Sequence, residues 1–183
     1  MTLNDELLAG LGDPGLEQIA GMLGTDVATA RTVLQAVSGT IVGGMARNAE
    51  DPDGAEALRG ALDEHVDADP FNGDIASLTR DGQSILGHVL GGQGTEQAAA
   101  GLARLADVDS GMLMKLLPLI APMIMSLLAN RASDQDMDAA AIAEELVREQ
   151  SSLPSDLGAV LAGLLAGIFG ETVPQQARTQ GDW

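Results

Sequence analysis

Apolar residues along this chain recur every three to four positions, and nowhere do they alternate with polar ones over the length a strand needs. The period is that of helices. Leu16, Ile19, Ala20 and Leu23 line one face, which stops at Gly24. Thr25 is then placed to cap a helix whose stripe is Ala30, Val33, Leu34, Val37, Ile41 and Met45. A turn at Asp51-Pro52 leads to Asp53 and Glu56, at capping-box spacing, ahead of Leu58, Ala61 and Leu62. Residues 67–81 are polar, hold Pro70, Asn72 and Gly73, and read as a long connection. Ile85, Leu86, Val89 and Leu90 mark a helix that ends in GGQG. Thr95 is placed to cap the next, with Ala98, Ala99, Leu102 and Leu105 inward. Asp138 or Asp136 caps a helix that turns Ile142 and Leu146 inward. Pro154 opens the last helix, whose stripe is Leu157, Val160, Leu161, Leu164, Leu165 and Ile168. The remainder, ETVPQQARTQGDW, has no pattern and predicts a mobile tail over 171–183 with Trp183 exposed.

Two segments are apolar on all sides. One runs from Leu116 to Leu128 and is broken only by Ser126; the other runs from Leu157 to Gly170. Both fall short of the roughly 20 residues that cross a bilayer core. Extending the first towards Gly111 would bring Lys115 into the span. A helix apolar all round is expected to be surrounded by other helices. Both segments therefore read as central helices of a soluble domain, and no membrane partner is expected. The alternative is a membrane-proximal protein that exposes helix 157–169. Capping near Asp109 or Ser110 starts the first segment's helix, and Pro118 and Pro122 predict a bend or break near Ala121.

The chain also repeats itself. Val33-Leu34 through Asn48 aligns with Leu116-Leu117 through Arg131, and an acidic turn follows each. Leu58 and Leu62 then match Ile142 and Leu146, while Leu23-Gly24 is echoed by Leu90-Gly91. The expectation is an all-α, multihelical single domain over 1–170. It would hold pseudo-repeats of about 16–66 and 82–150, two central buried helices, and a closing helix over 154–170. The first long helix, with Gln35 and Gly39 where the second has Pro118 and Pro122, should be the straighter.

LG-x-x-x-x-x-A-x-x-V-L from Leu23, GGMARNAEDPDGAEALRGAL, GQSILGHVLGG and LLPLIAPMIMSLL together resemble the YidB-like family, bacterial proteins with domain of unknown function 937. The likeness runs from about Leu16 to Gly170. It implies an all-helical, internally duplicated fold. It implies no activity, catalytic residue or cofactor.

Composition changes the picture in two ways. Aromatic residues make up only 2%, so the core must be filled by aliphatic side chains and methionine, and 23 glycines allow close helix packing. The net charge of −18 removes the basic side chains that nucleic-acid binding requires. It favours basic partners or metal ions, and solubility; the partner expected is a protein, or a second copy of the chain. The absence of cysteine excludes disulfides and thiolate chemistry. MTLNDELLAG has no basic stretch followed by a long apolar one, so a cytoplasmic location is expected.

Candidate chemistry is thin. Asp134, Asp136, Asp138 and Glu145 have the outline of a calcium loop, but Ala139 replaces the turn glycine and helix follows at once. Acidic residues favouring a helix start explain the group without a metal, and Asp51 and Asp53 read alike. Asp67 and Asp69 read as a solvated loop. His65 and His88 are the two histidines, with no zinc spacing around either. His88, among apolar neighbours, is expected to be buried or half-buried with a backbone partner. Gly39/Gly43 and Gly163/Gly167 are Gly-x-x-x-Gly pairs, expected to serve packing within the chain. The sequence selects no catalytic, cofactor-binding or metal-ligating residue. The function it supports is contact with other proteins; the alternative is an enzyme with an unrecognised carboxylate or His88 site.

Overall fold

A computed structural model describes residues 3–64, 75–153 and 155–169. Among them lie eight α-helices and no strand: α1 (Leu3–Leu23), α2 (Val27–Asn48), α3 (Pro52–Asp63), α4 (Ile75–Val89), α5 (Gly92–Ala106), α6 (Ser110–Asp134), α7 (Ala139–Ser151) and α8 (Ser155–Phe169). The chain is a single all-α domain. Helix α4 begins inside the predicted long connection, because Ile75 onwards is already helical. The expectations for His65, Asp67, Asp69, the first part of that connection, Pro154 and the 171–183 tail with Trp183 lie outside the described residues.

The two long helices, α2 and α6, form the centre and touch each other. Residues 36–46 of α2 are all buried, including Ser38, Thr40 and three glycines. Thr40 satisfies its hydroxyl on the Ala36 carbonyl, 2.8 Å away, so it can sit in an apolar layer. The remaining helices wrap this pair: α4 and α5 lie on α6, α1 on both, α7 and α8 on α2, and α3 on α6 and α7.

Both long helices start in the same way. Gly24 (φ 71°) and Asp107 (φ 57°) are left-handed residues that end the preceding helices. The next amides, Thr25 and Val108, reach back to the carbonyls of Ala20 and Ala103 at 2.9 and 3.1 Å. Asp26 and Asp109 then cap α2 and α6, accepting from the amides of Thr29 and Gly111. Ala20, Gly24, Thr25 and Asp26 each stand 83 positions before their counterparts Ala103, Asp107, Val108 and Asp109; only the capped amide differs, three residues on in α2 and two in α6. The counterpart of Gly24 is therefore Asp107; Gly91 ends α4, one helix earlier.

Three predicted caps move by a few residues. Asp26, not Thr25, caps α2. Asp51 caps α3 by accepting from Asp53, with Pro52 in the first turn, so Asp53 and Glu56 form no capping box. Helix α5 already runs at Thr95, whose hydroxyl donates to Gly91's carbonyl at 2.9 Å. Asp138 caps α7 as expected.

The expected break near Ala121 does not occur. Helix α6 runs unbroken through Pro118 and Pro122. Pro122 lacks the amide that would bond the Pro118 carbonyl, and α4 covers that oxygen: a Cβ at Gly82 would lie 1.7 Å from it. The glycine lets one backbone rest on the other where the helical bond is missing.

Helix α1 is two half-helices joined at Gly12, whose φ of 65° and ψ of −178° are not helical. The first half, unforeseen in the sequence, buries Leu3 and Leu7 completely. Asn48 ties the base of the fold, donating to the carbonyls of Gly44 and Val89 at 3.0 Å each. That satisfies one of the unpaired carbonyls at the end of α4.

Candidate functional site

Two features stand out from the packed centre. The first is a charged cluster where α1, α6 and α7 meet. Arg131, at the last turn of α6, has a side chain only 11% exposed. Its guanidinium pairs with Glu6 from α1, and lies 3.7 Å from Glu145 and 3.4 Å from Glu149 of α7. Both α7 glutamates are nine-tenths buried or more. Glu145 has a second partner in Arg148 at 3.2 Å, and Glu149 accepts the Leu3 amide. A cleft of about 640 Å³ opens beside the cluster, bordered by Asn130 and Ser152. Placing carboxylates out of water is costly unless they are paired, and here one arginine serves three. The arrangement ties three helices together. Each glutamate is held by a cation or an amide.

The second feature is the outer face of α8. Leu157, Leu161 and Leu165 point into the fold, four residues apart. They seat in the Gly39/Gly43 pair of α2: a Cβ on Gly39 would stand 2.7 Å from Leu161, and one on Gly43 2.4 Å from Leu165. The opposite face has Ala159, Val160, Ala162, Gly163 and Gly167, all exposed. Among the described residues nothing lies within 4 Å of a Cβ placed on Gly163 or Gly167. The first glycine pair thus packs within the chain as expected, and the second does not. Val160 is 47% exposed and Leu105 on α5 is 39% exposed, although both were expected inside. They border an apolar groove of about 370 Å³ between α5 and α8, with Gly101 in its wall and Arg104 at its rim. No charged residue occurs from Leu157 to Phe169. Helix α8 is therefore a surface helix with one face packed, and the reading of it as a central helix is corrected. Helix α6 alone is long and apolar enough to cross a membrane by length and composition among the described residues, and 67% of its apolar window is buried in the fold.

Residues 5–131 match the family described as "Bacterial protein of unknown function (DUF937)". The chain belongs to this family. No curated protein and no solved structure matches it. In this DUF937 chain the matched region starts before the expected Leu16 and stops at Arg131 itself. Helices α7 and α8, with Glu145, Glu149 and the open face, lie beyond it. The family fits the all-helical fold and supplies no function.

The remaining sequence candidates fall elsewhere. His88 is exposed on α4, contrary to the expectation of burial; its neighbours Val89 and Leu90 take the inner positions instead. It borders a cleft of about 420 Å³ with Glu64. Glu64 is the one carboxylate among the described residues that line it. Asp134, Asp136, Asp138 and Glu145 do not converge. Asp138 is engaged as a cap, Asp136 takes a left-handed turn at φ 52°, and Glu145 faces Arg131. Among the described residues no three of His, Asp and Glu gather as metal ligands would. Asp26 is fully exposed, and its carboxyl is held below its ordinary pKa, chiefly by the hydrogen bond from the Thr29 amide.

The sequence signal for the charged cluster was present but quiet. Glu145 and Glu149 stand three and seven positions after Ile142, on its inward stripe. Arg131 stands in the last turn of the long apolar helix α6. A carboxylate in phase with a buried stripe needs a cation, and Arg131 supplies it for both glutamates, with Arg148 a second partner for Glu145.

Proposed function

We propose that this protein is a helical interaction module that docks an apolar helix of a partner protein on the α5–α8 face. The observation that carries this reading is the open Gly163/Gly167 pair beside exposed Val160 and Leu105. Within the chain, the equivalent pair on α2 receives leucines four residues apart. The same seat, turned outward, suits a partner helix with leucines at that spacing. In a chain of net charge −18, the uncharged stretch from Leu157 to Phe169 is where an apolar partner meets least repulsion. The charged cluster holds the scaffold and takes no part in docking. The scaffold itself reads as a duplicated unit, supported by the matched starts of α2 and α6.

The test is a photo-crosslinking residue at position 160, expressed in the native cell, with adducts mapped by mass spectrometry. The reading expects an adduct on a protein segment with leucines four apart, lost in Gly163→Trp, while the fold melts as before. Adducts on lipid would favour the membrane-proximal alternative. Protein adducts that persist in Gly163→Trp would remove the glycine pair from the docking site.

A further inference from the structure

The first half of α1 is attached to the rest of the fold by one permissive joint. Gly12 adopts a combination of φ and ψ that is essentially reserved for glycine. Asp13 and Pro14 follow, and proline suits the first turn of a new helix. Each half-helix therefore ends on its own terms, and rotation at Gly12 moves residues 3–11 without melting either half. Ala9, Gly10, Asp13 and Pro14 around the joint are all exposed and contribute nothing to the core.

Residues 3–11 are held by apolar and polar contacts along one side, with Leu8 and Leu11 packed partly against the core as well. Leu3 and Leu7 are buried, four positions apart. Between them Glu6 pairs with Arg131. The Leu3 amide donates to Glu149, and the Ser38 hydroxyl donates to Asn4 Oδ1 at 3.5 Å. The surface beneath this half draws its polar partners from α2 (Ser38), α6 (Arg131) and α7 (Glu149), with the Arg131 cluster at one end.

We infer that this surface is an exchangeable helix-binding groove, and that its other occupant is residues 3–11 of a second copy of the chain. The groove asks for an apolar side chain, a carboxylate three positions on, and a second apolar side chain one position later. A second copy carries that order at the same spacing and brings the same carboxylate to Arg131. Exchange keeps every contact of the closed form. The two states differ at the Gly12 torsions and in the entropy of association. The torsional difference is small because glycine takes positive and negative φ alike. Two surfaces of net charge −18 repel each other broadly, whereas exchange brings each acidic segment to a cation already placed for it. This surface is separate from α8, so the inference does not rest on the docking reading above.

The chain has no cysteine, which allows a direct test. Asn4→Cys is made in one preparation and Ser38→Cys in another; the two are mixed at high concentration and then oxidised. A disulfide joining position 4 of one chain to position 38 of the other forms only when the first half of α1 has crossed over. The expected result is that linkage in peptide maps, rising with protein concentration, while the double variant at low concentration closes within one chain. Closure of the double variant with no interchain 4–38 linkage at any concentration overturns the inference. The unsubstituted protein gives an independent reading by hydrogen exchange. The amides of residues 7–11 should exchange as a unit, about tenfold or more faster than those of residues 116–128. Equal rates would mean that the segment leaves only when the whole fold does, which also overturns it.

Discussion

Helices α6 and α8 have nearly the same texture in the sequence and occupy opposite kinds of place. Both are runs of leucine, isoleucine and alanine with little charge. Helix α6 is largely enclosed: Leu113, Leu116, Leu117, Ile120, Ile124 and Leu128 form one fully buried face, Pro118, Ala121, Pro122, Met125 and Ala129 extend it around the helix, and the N-terminal part, at Met114 and Lys115, is open. Helix α8 buries only the leucines at 157, 161 and 165. What separates the two is the size of the residues between the leucines. In α6 they are Pro118, Met125 and further branched side chains, which need neighbours to fill space around them. In α8 Leu164 and Ile168 are partly packed, and the outward positions are mostly small, Ala159, Ala162, Gly163 and Gly167, with Val160 the one large side chain among them, so the open face exposes little apolar area for its length. A high share of apolar residues does not distinguish a core helix from a one-faced helix with a small-residue back; residue volume does.

The largest expected effect tests the α6 side of this contrast. Leu117→Asp places a carboxylate at a fully buried position with no partner, a cost of about 5 kcal/mol or more. That is comparable with the roughly 5–15 kcal/mol a domain holds, so the variant should fail to fold or should aggregate. A circular-dichroism melt close to that of the parent would remove α6 from the core.

Arg131→Met comes next. It leaves Glu6, Glu145 and Glu149 facing one another without the guanidinium they share. Removing one partner of a buried ion pair costs about 3–5 kcal/mol. Denaturant unfolding measures it, and a loss below about 1 kcal/mol would show that the acids have other support.

The two glycine pairs give the sharpest contrast, because one substitution should act with opposite sign in each. Gly43→Ala puts a Cβ against Leu165. Overpacking of about 1–3 kcal/mol outweighs the helix propensity gained and lowers the melting temperature. Gly163→Ala meets nothing and should stabilise by about 0.5–1 kcal/mol. Shifts of the same sign at both positions would end the distinction between a filled seat and an open one.

The smallest effect concerns the start of α2. The Asp26 carboxyl titrates below its ordinary value in the fold because the Thr29 amide bonds its charged form. The stability it adds is complete above the unfolded-state pKa, and is lost as pH falls through the lowered native one. An NMR titration of the Asp26 side chain should place its midpoint below that of the same residue in an unfolded peptide, and Asp26→Ala should erase the associated acid limb of stability. An unshifted midpoint contradicts the cap.

Helix number, type and most inward stripes were legible because leucine and isoleucine recur at helical spacing over many turns. Cap positions were not, since Thr25-Asp26 and Asp51-Pro52-Asp53 each offer two good capping residues within three positions, and only the backbone path selects one. The first half of α1 was hidden because Leu3 and Leu7 make too short a stripe to register before Gly12 interrupts it. The charged cluster was hidden because its members come from residues 6, 131, 145 and 149, and pairing over such separations is set by packing. The open face of α8 was hidden for the reason already given: the pattern of apolar positions is blind to side-chain size.

Whether the two faces of α8 differ as described can be measured directly. Single cysteines are placed at Val160 and, separately, at Leu161 of this cysteine-free chain, and their reaction with a thiol reagent is timed under native conditions. With one face packed and the other open, the thiol at position 160 reacts nearly as fast as in the unfolded chain, while the thiol at position 161 reacts only as fast as local or global opening allows. Protection at both positions in the isolated protein would mean that the outer face is covered, and rapid reaction at both would mean that α8 is not docked on α2; either result contradicts the division between a packed and an open face.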